Sequence, residues 1–159
     1  MSESFAGMAK RIQREISEFE KIRDHAQRRW QKSSMDEDYL GSVFFDLQGF
    51  YQGVESVFAI IAKSIDRSLP SGDSWHRMLL DQMTCEVPGI RPAVISMETR
   101  GALDDLRMFR HLAHNIYTFN LDPRRIKTLI EHLPGAVSLL CKDLTVFADF
   151  LDHSTRART

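Results

Sequence analysis

The chain has 159 residues, 27% of them charged and 43% hydrophobic, with a formal net charge of -1. That is the composition of an ordinary globular domain with its own hydrophobic core. A balanced charge excludes a chain that coats nucleic acid or is drawn to an anionic membrane by bulk electrostatics, so any RNA contact has to come from a local basic patch. No apolar run is long enough to cross a bilayer, and Met1-Ser2-Glu3-Ser4 lacks the basic-then-apolar pattern of a secretory leader. The expectation is therefore a cytoplasmic protein without membrane attachment, a single domain over 1–153 with a frayed basic tail over 154–159. The two cysteines, Cys85 and Cys141, are far apart in sequence and read as buried free thiols in a reducing compartment.

Helical periodicity runs through the chain, and no segment alternates like a strand. The first predicted helix carries Phe5, Met8, Ile12, Ile16, Phe19, Ile22, Ala26 and Trp30 at steps of three and four, with charged residues opposite. Ser34 or Asp36 suits the N-cap of the second, whose stripe is Leu40, Val43, Leu47, Phe50, Val54, Phe58, Ile61 and Ile65. Gly41, Gly49 and Gly53 cost helix propensity there and point to a closely packed neighbour. Leu69-Pro70-Ser71-Gly72 ends that helix. A short third helix follows over about Ser74 to Cys85 with Asp73 as cap, and then comes an irregular connector around Pro88 and Pro92. Ser96 caps the fourth helix. Asp122-Pro123 starts a short fifth that Leu133-Pro134-Gly135 ends, and the last carries Val137, Leu140, Leu144, Phe147 and Leu151. The fold class is thus all-α, an up-and-down bundle of four long helices and two short ones. Its residual apolar surface and glycine stripe suit a homodimer.

The fourth helix concentrates the chemistry. With Arg107 at zero and about 100° per residue, Arg110, His111, His114 and Tyr117 fall within about 80° of it, and Asn115 lies at the edge of the same face. Phe109, Leu112 and Ile116 gather opposite. Guanidiniums match phosphate oxygens with fixed forks of donors, and imidazole moves protons near neutral pH. Arg with His, and no paired carboxylates, suits metal-free RNA cleavage, in which the ribose 2′-hydroxyl attacks its own phosphate. The plainer alternative is a solvated helix face with no activity. A zinc site is disfavoured because His111 and His114 supply only two ligands. His25, His76, His132 and His153 are scattered and read as structural or surface residues, and whether His76, beside Trp75, reaches the cleft is left open by the sequence. Phosphate-binding glycine loops, a serine nucleophile elbow and a Cys-x-x-Cys pair are all missing from the sequence.

The stretch Arg107-Met-Phe-Arg110-His111-Leu-Ala-His114-Asn115-Ile-Tyr117 resembles the Arg-x4-6-His signature of HEPN domains, and more closely the Arg-x4-His-x-Tyr motif of HepT-like ribonuclease toxins. Leu47-Gln-Gly-Phe50-Tyr51-Gln-Gly53-Val-Glu55-Ser-Val-Phe58 and Leu69-Pro70-Ser-Gly72-Asp-Ser-Trp75-His76 resemble segments of the same group, so the likeness runs from about Asp46 to Phe150. It implies a dimeric HEPN bundle in which two motif helices face a shared cleft and RNA is cut without metal or any other cofactor. It also implies a partner, a minimal nucleotidyltransferase antitoxin that silences the toxin by attaching AMP to the motif tyrosine, here Tyr117. In the implied site Arg110 and Arg107 bind phosphate. When Arg110 and Tyr117 are set on the motif, Asn115 takes the place of the catalytic histidine, and an amide cannot serve as a base at neutral pH. His114, through the looser Arg107-x6-His114 spacing, or His111 would then take that role. Alternatively, the chain is a catalytically inactive HEPN module that binds RNA, nucleotide or a nucleotidyltransferase.

Overall fold

A computed structural model describes residues 4–33, 37–113 and 122–157. Five α-helices account for most of them: α1 (Phe5–Ser33), α2 (Glu37–Ile61), α3 (Trp75–Met83), α4 (Met97–Ala113) and α5 (Pro123–Ala157). The all-α bundle expected from the periodicity is what forms, and none of the described helices is long and apolar enough to cross a membrane.

α1 is the central packing element and lies along both α2 and α5. Its Met8, Ile12, Phe19 and Ala26 are buried, as are all eight residues of the predicted α2 stripe. The close neighbour implied by the glycines is found at one of them. A Cβ on Gly53 would meet Phe19 Cε1 at 3.0 Å, which is how the Phe19 ring reaches the edge of Phe50 with centroids 5.3 Å apart. Gly41 and Gly49 face open space instead.

α2 does not run straight to Pro70. It widens into a π-helical turn over Ala62–Asp66 and stops at Arg67, a left-handed residue with φ 57°. The chain then turns at Gly72, whose φ of 94° favours glycine, and enters α3 with Ser74 in the cap position. Asp73, expected as the cap, makes no capping bond there. Of the other predicted starts, Ser34 and Asp36 lie outside the described residues, and the remaining two hold. Ser96 Oγ accepts from Thr99 N at 3.1 Å, and Asp122 Oδ1 accepts from Arg124 N at 3.0 Å ahead of Pro123.

Two expectations need correction. Leu133-Pro134-Gly135 does not end a helix, because α5 runs through Pro134 for 35 residues. Ile126, Leu129, Ile130, Leu133, Val137, Leu140 and Leu144 form one buried seam on both sides of it, and their continuous burial outweighs the local cost of the proline. Nor are both cysteines buried. Both are free thiols, but Cys85 is exposed and Cys141 only half-buried.

The segment between α3 and α4 is tied down by a single buried ion pair. The Arg91 side chain is fully buried. It donates through Nε to Asp66 Oδ1 at 2.6 Å and through Nη2 to Asp66 Oδ2 at 2.7 Å. Its remaining donors reach the carbonyls of Cys85, Pro92 and Gln82 at 2.7, 2.9 and 3.3 Å. Gln82 Nε2 completes the Asp66 shell at 2.8 Å. Asp81 adds a second tie, accepting from Arg100 Nε of α4 at 2.6 Å. The end of α3 is thereby held in place against the end of α2 and α4.

Candidate active site

Arg107 and Arg110 stand on α4 as predicted, but not on a solvated face. Both side chains are mostly buried; Arg110 turns toward Glu55 of α2 and His76 of α3, and Arg107 pairs with Asp104 of its own helix. Phe109 takes the neighbouring face, meeting Phe44 edge-on with centroids 5.5 Å apart, and Arg125 of α5 lies over its ring at 5.9 Å. His111 belongs to the last turn of α4. His114, Asn115 and Tyr117 lie outside the described residues.

Glu55 of α2 organises the site. It sits one residue after the buried Val54, on a helix otherwise dominated by apolar and small residues, and its side chain is only 6% exposed. One carboxylate oxygen, Oε1, accepts from Arg110 Nη1, and the other, Oε2, is paired with His76 Nδ1. A carboxylate facing an imidazole nitrogen can only accept, so Nδ1 carries the hydrogen of that bond. Arg110 Nη1 and His76 Nδ1 are 3.5 Å apart, both turned to the same carboxylate, and two donors facing an acceptor form no bond with each other. Trp75 stacks on the His76 ring with centroids 3.6 Å apart and planes inclined by 31°, which limits the ring's rotation. His76 is the most open of the three groups, its side chain 25% exposed against 15% for Arg110.

Further acidic and phenolic groups flank this trio. Asp104, one turn earlier on α4, accepts from Arg107 Nε at 2.7 Å. Tyr51, one turn before Glu55 on α2, is fully buried. Burial pushes its phenol far above the usual tyrosine range. The carboxylates of Glu55 and Asp104 push the same way, and Arg107 and Arg110 oppose them only in part. Tyr51 is therefore a neutral hydroxyl among four charged side chains.

Sequence reasoning placed Arg110 and Arg107 in the site, held His76 as a bystander near a cleft, and missed Glu55. The available signal was a carboxylate inside the strongest apolar stripe of the chain, which in a folded core demands a cationic partner. Of the remaining histidines, His25 pairs with Asp46 at 3.1 Å, His153 Nδ1 lies 2.7 Å from the Asp149 carbonyl, and His132 is exposed.

An all-α bundle in which a guanidinium, a carboxylate and an imidazole from three different helices meet in a mostly buried cluster defines a helical module with a buried polar site. A family model described as HepT-like protein matches residues 42–151, from α2 through most of α5 and well over half of the chain. The chain belongs to this HepT-like, HEPN-type family. No curated protein and no solved structure matches it.

Proposed function

We propose that this protein is a toxin-type endoribonuclease that cuts RNA without a metal ion, acts in the cytoplasm as a homodimer, and is neutralised by a minimal nucleotidyltransferase antitoxin. The observation that carries the reading is a convergence. Three segments far apart in sequence, around Glu55, around Trp75-His76 and around Arg110, come together at one carboxylate, and membership of the HepT-like family gives that convergence a chemistry. In this reading Arg110 and Arg107 bind the scissile phosphate and offset the charge that develops on it. An imidazole takes the proton of the 2′-hydroxyl, and His111 and His114 are its candidates on the motif helix. The antitoxin would act at Tyr117 by attaching AMP. Phe45 on α2 and Met108 on α4, both exposed, supply apolar surface for a second copy.

The test is cleavage of mixed-sequence RNA by purified protein in EDTA. Wild type is expected to leave 2′,3′-cyclic phosphate ends, and Arg110→Ala to lose about 10²–10³-fold in kcat, the usual loss of a charge-stabilising donor. Absence of cleavage by wild type, or equal cutting by the variant, refutes the reading. Asn115 motivates a second reading, a HEPN module that binds RNA or a nucleotidyltransferase without cutting. That reading calls for salt-sensitive RNA binding or a stable heteromer with no product ends.

A further inference from the structure

We infer that His76 is the general base of this reaction, with Glu55 as its positioning residue. The inference rests on the ribonuclease reading and adds the group that the motif helix lacks at position 115. Five observations converge. His76 Nδ1 stands 3.5 Å from Nη1 of the arginine that would hold the phosphate, so the imidazole and the phosphate-binding group are already adjacent. Glu55 fixes the ring's tautomer by taking the hydrogen of Nδ1, which leaves the lone pair of the neutral ring on Nε2. Among the described residues Nε2 has no hydrogen-bond partner. Trp75 stacks against the ring and holds its plane. Finally, the carboxylate is buried while the imidazole is a quarter exposed, so an approaching ribose meets the base and not its orienter.

The same carboxylate binds Arg110 through Nη1, leaving Nη2 and Nε of the guanidinium for phosphate oxygens. The step then balances as follows. Nε2 of His76 takes the proton of the 2′-hydroxyl, and O2′ forms a bond to phosphorus. The P–O5′ bond breaks, O5′ leaves with the electron pair, and it takes a proton from water. The products are a 2′,3′-cyclic phosphate and a 5′-hydroxyl. The imidazolium, its charge compensated by Glu55 in the meantime, returns its proton to solvent.

The experiment compares kcat on mixed-sequence RNA in EDTA, RNA affinity and melting temperature for wild type, His76→Gln, His111→Ala and His114→Ala. A glutamine at position 76 keeps a donor for Glu55 but has no basic nitrogen. His76→Gln is expected to melt and to bind RNA like wild type while losing about 10²–10⁴-fold in kcat, the range of a positioned acid–base group. A loss of about 10²–10⁴-fold in His111→Ala or His114→Ala, with His76→Gln close to wild type, would put the base on the motif helix and overturn the inference. If wild type cuts and His76→Gln cuts within about fivefold of it, the inference is overturned and the ribonuclease reading stands. If wild type does not cut, both fall. Should His76→Gln prove unfolded, His76→Ala with added imidazole decides: restored cleavage supports a base at this position, and its absence overturns it.

Discussion

Asp66→Asn isolates the pair that fastens the segment between α3 and α4 to the bundle. The substitution keeps the shape of the side chain but removes its charge and turns one acceptor oxygen into a donor group. Arg91 then remains fully buried without a counter-ion, and its Nε or Nη2 faces an amide NH2 where it now meets oxygen at 2.6 or 2.7 Å. The three carbonyl contacts from Cys85, Pro92 and Gln82 survive, so the guanidinium keeps hydrogen bonds but loses its neutralising partner. Breaking a buried pair on one side costs about 3–5 kcal/mol. A domain of this size shifts by about 2–4 °C per kcal/mol, so Tm should fall by about 6–20 °C. Urea unfolding followed by circular dichroism measures the loss directly. The double variant Asp66→Leu/Arg91→Met replaces the whole pair by apolar groups and should recover most of it, since such replacements are often neutral. A loss below about 1 kcal/mol for Asp66→Asn, or a double variant as unstable as both singles combined, would refute the claim that charge compensation fastens this segment.

Two further expectations concern single groups. Burial raises the Cys141 thiol to about 11, with Glu20 adding to the shift and Arg23 opposing it, whereas Cys85 is exposed. A thiol reagent at neutral pH should therefore modify one cysteine quickly and the second only on unfolding, and peptide mapping should find the fast label on Cys85. Tyr51 should stay protonated in alkali. Its folded value is raised, so the neutral phenol favours the folded state fully below the unfolded value near about 10, and stability should fall above it by about 1.4 kcal/mol per pH unit. A tyrosinate absorbance titration should count one phenol fewer in the native protein than in urea, and Tyr51→Phe should abolish that difference.

Much of the fold was legible because each helix shows its buried stripe in the sequence. The departures occur where a local rule met a longer-range one. Pro134-Gly135 reads as a stop from the nearest residues alone, but the seam from Ile126 to Leu144 keeps its period across it, and that continuity decided the outcome. The Asp73 cap failed for a related reason, since α3 enters from a turn at Gly72 whose backbone already bonds to Trp75 N at 3.2 Å. The site was half legible. Arg110 declares itself by its spacing to the other polar residues of α4. Glu55 and His76 are separated from it by 55 and 34 residues, and no periodicity links three helices that meet only after folding. The solvated-face alternative fails at Arg110, because a helical wheel locates a face without saying that another helix's carboxylate covers it.

The carboxylate that holds Arg110 has a further effect on any reaction at phosphate. A singly charged diester approaching the free Nη2 and Nε of that guanidinium shares it with Glu55 and gains little from a charge already compensated. As O2′ closes on phosphorus, a second negative charge builds on the phosphoryl oxygens, and the competition tilts toward the substrate. The internal rival thus weakens binding of the starting material more than binding of the transition state, and differential binding of that kind accelerates a reaction. On the ribonuclease reading the same shared arginine would also favour release of the cyclic product, since the extra charge has then gone.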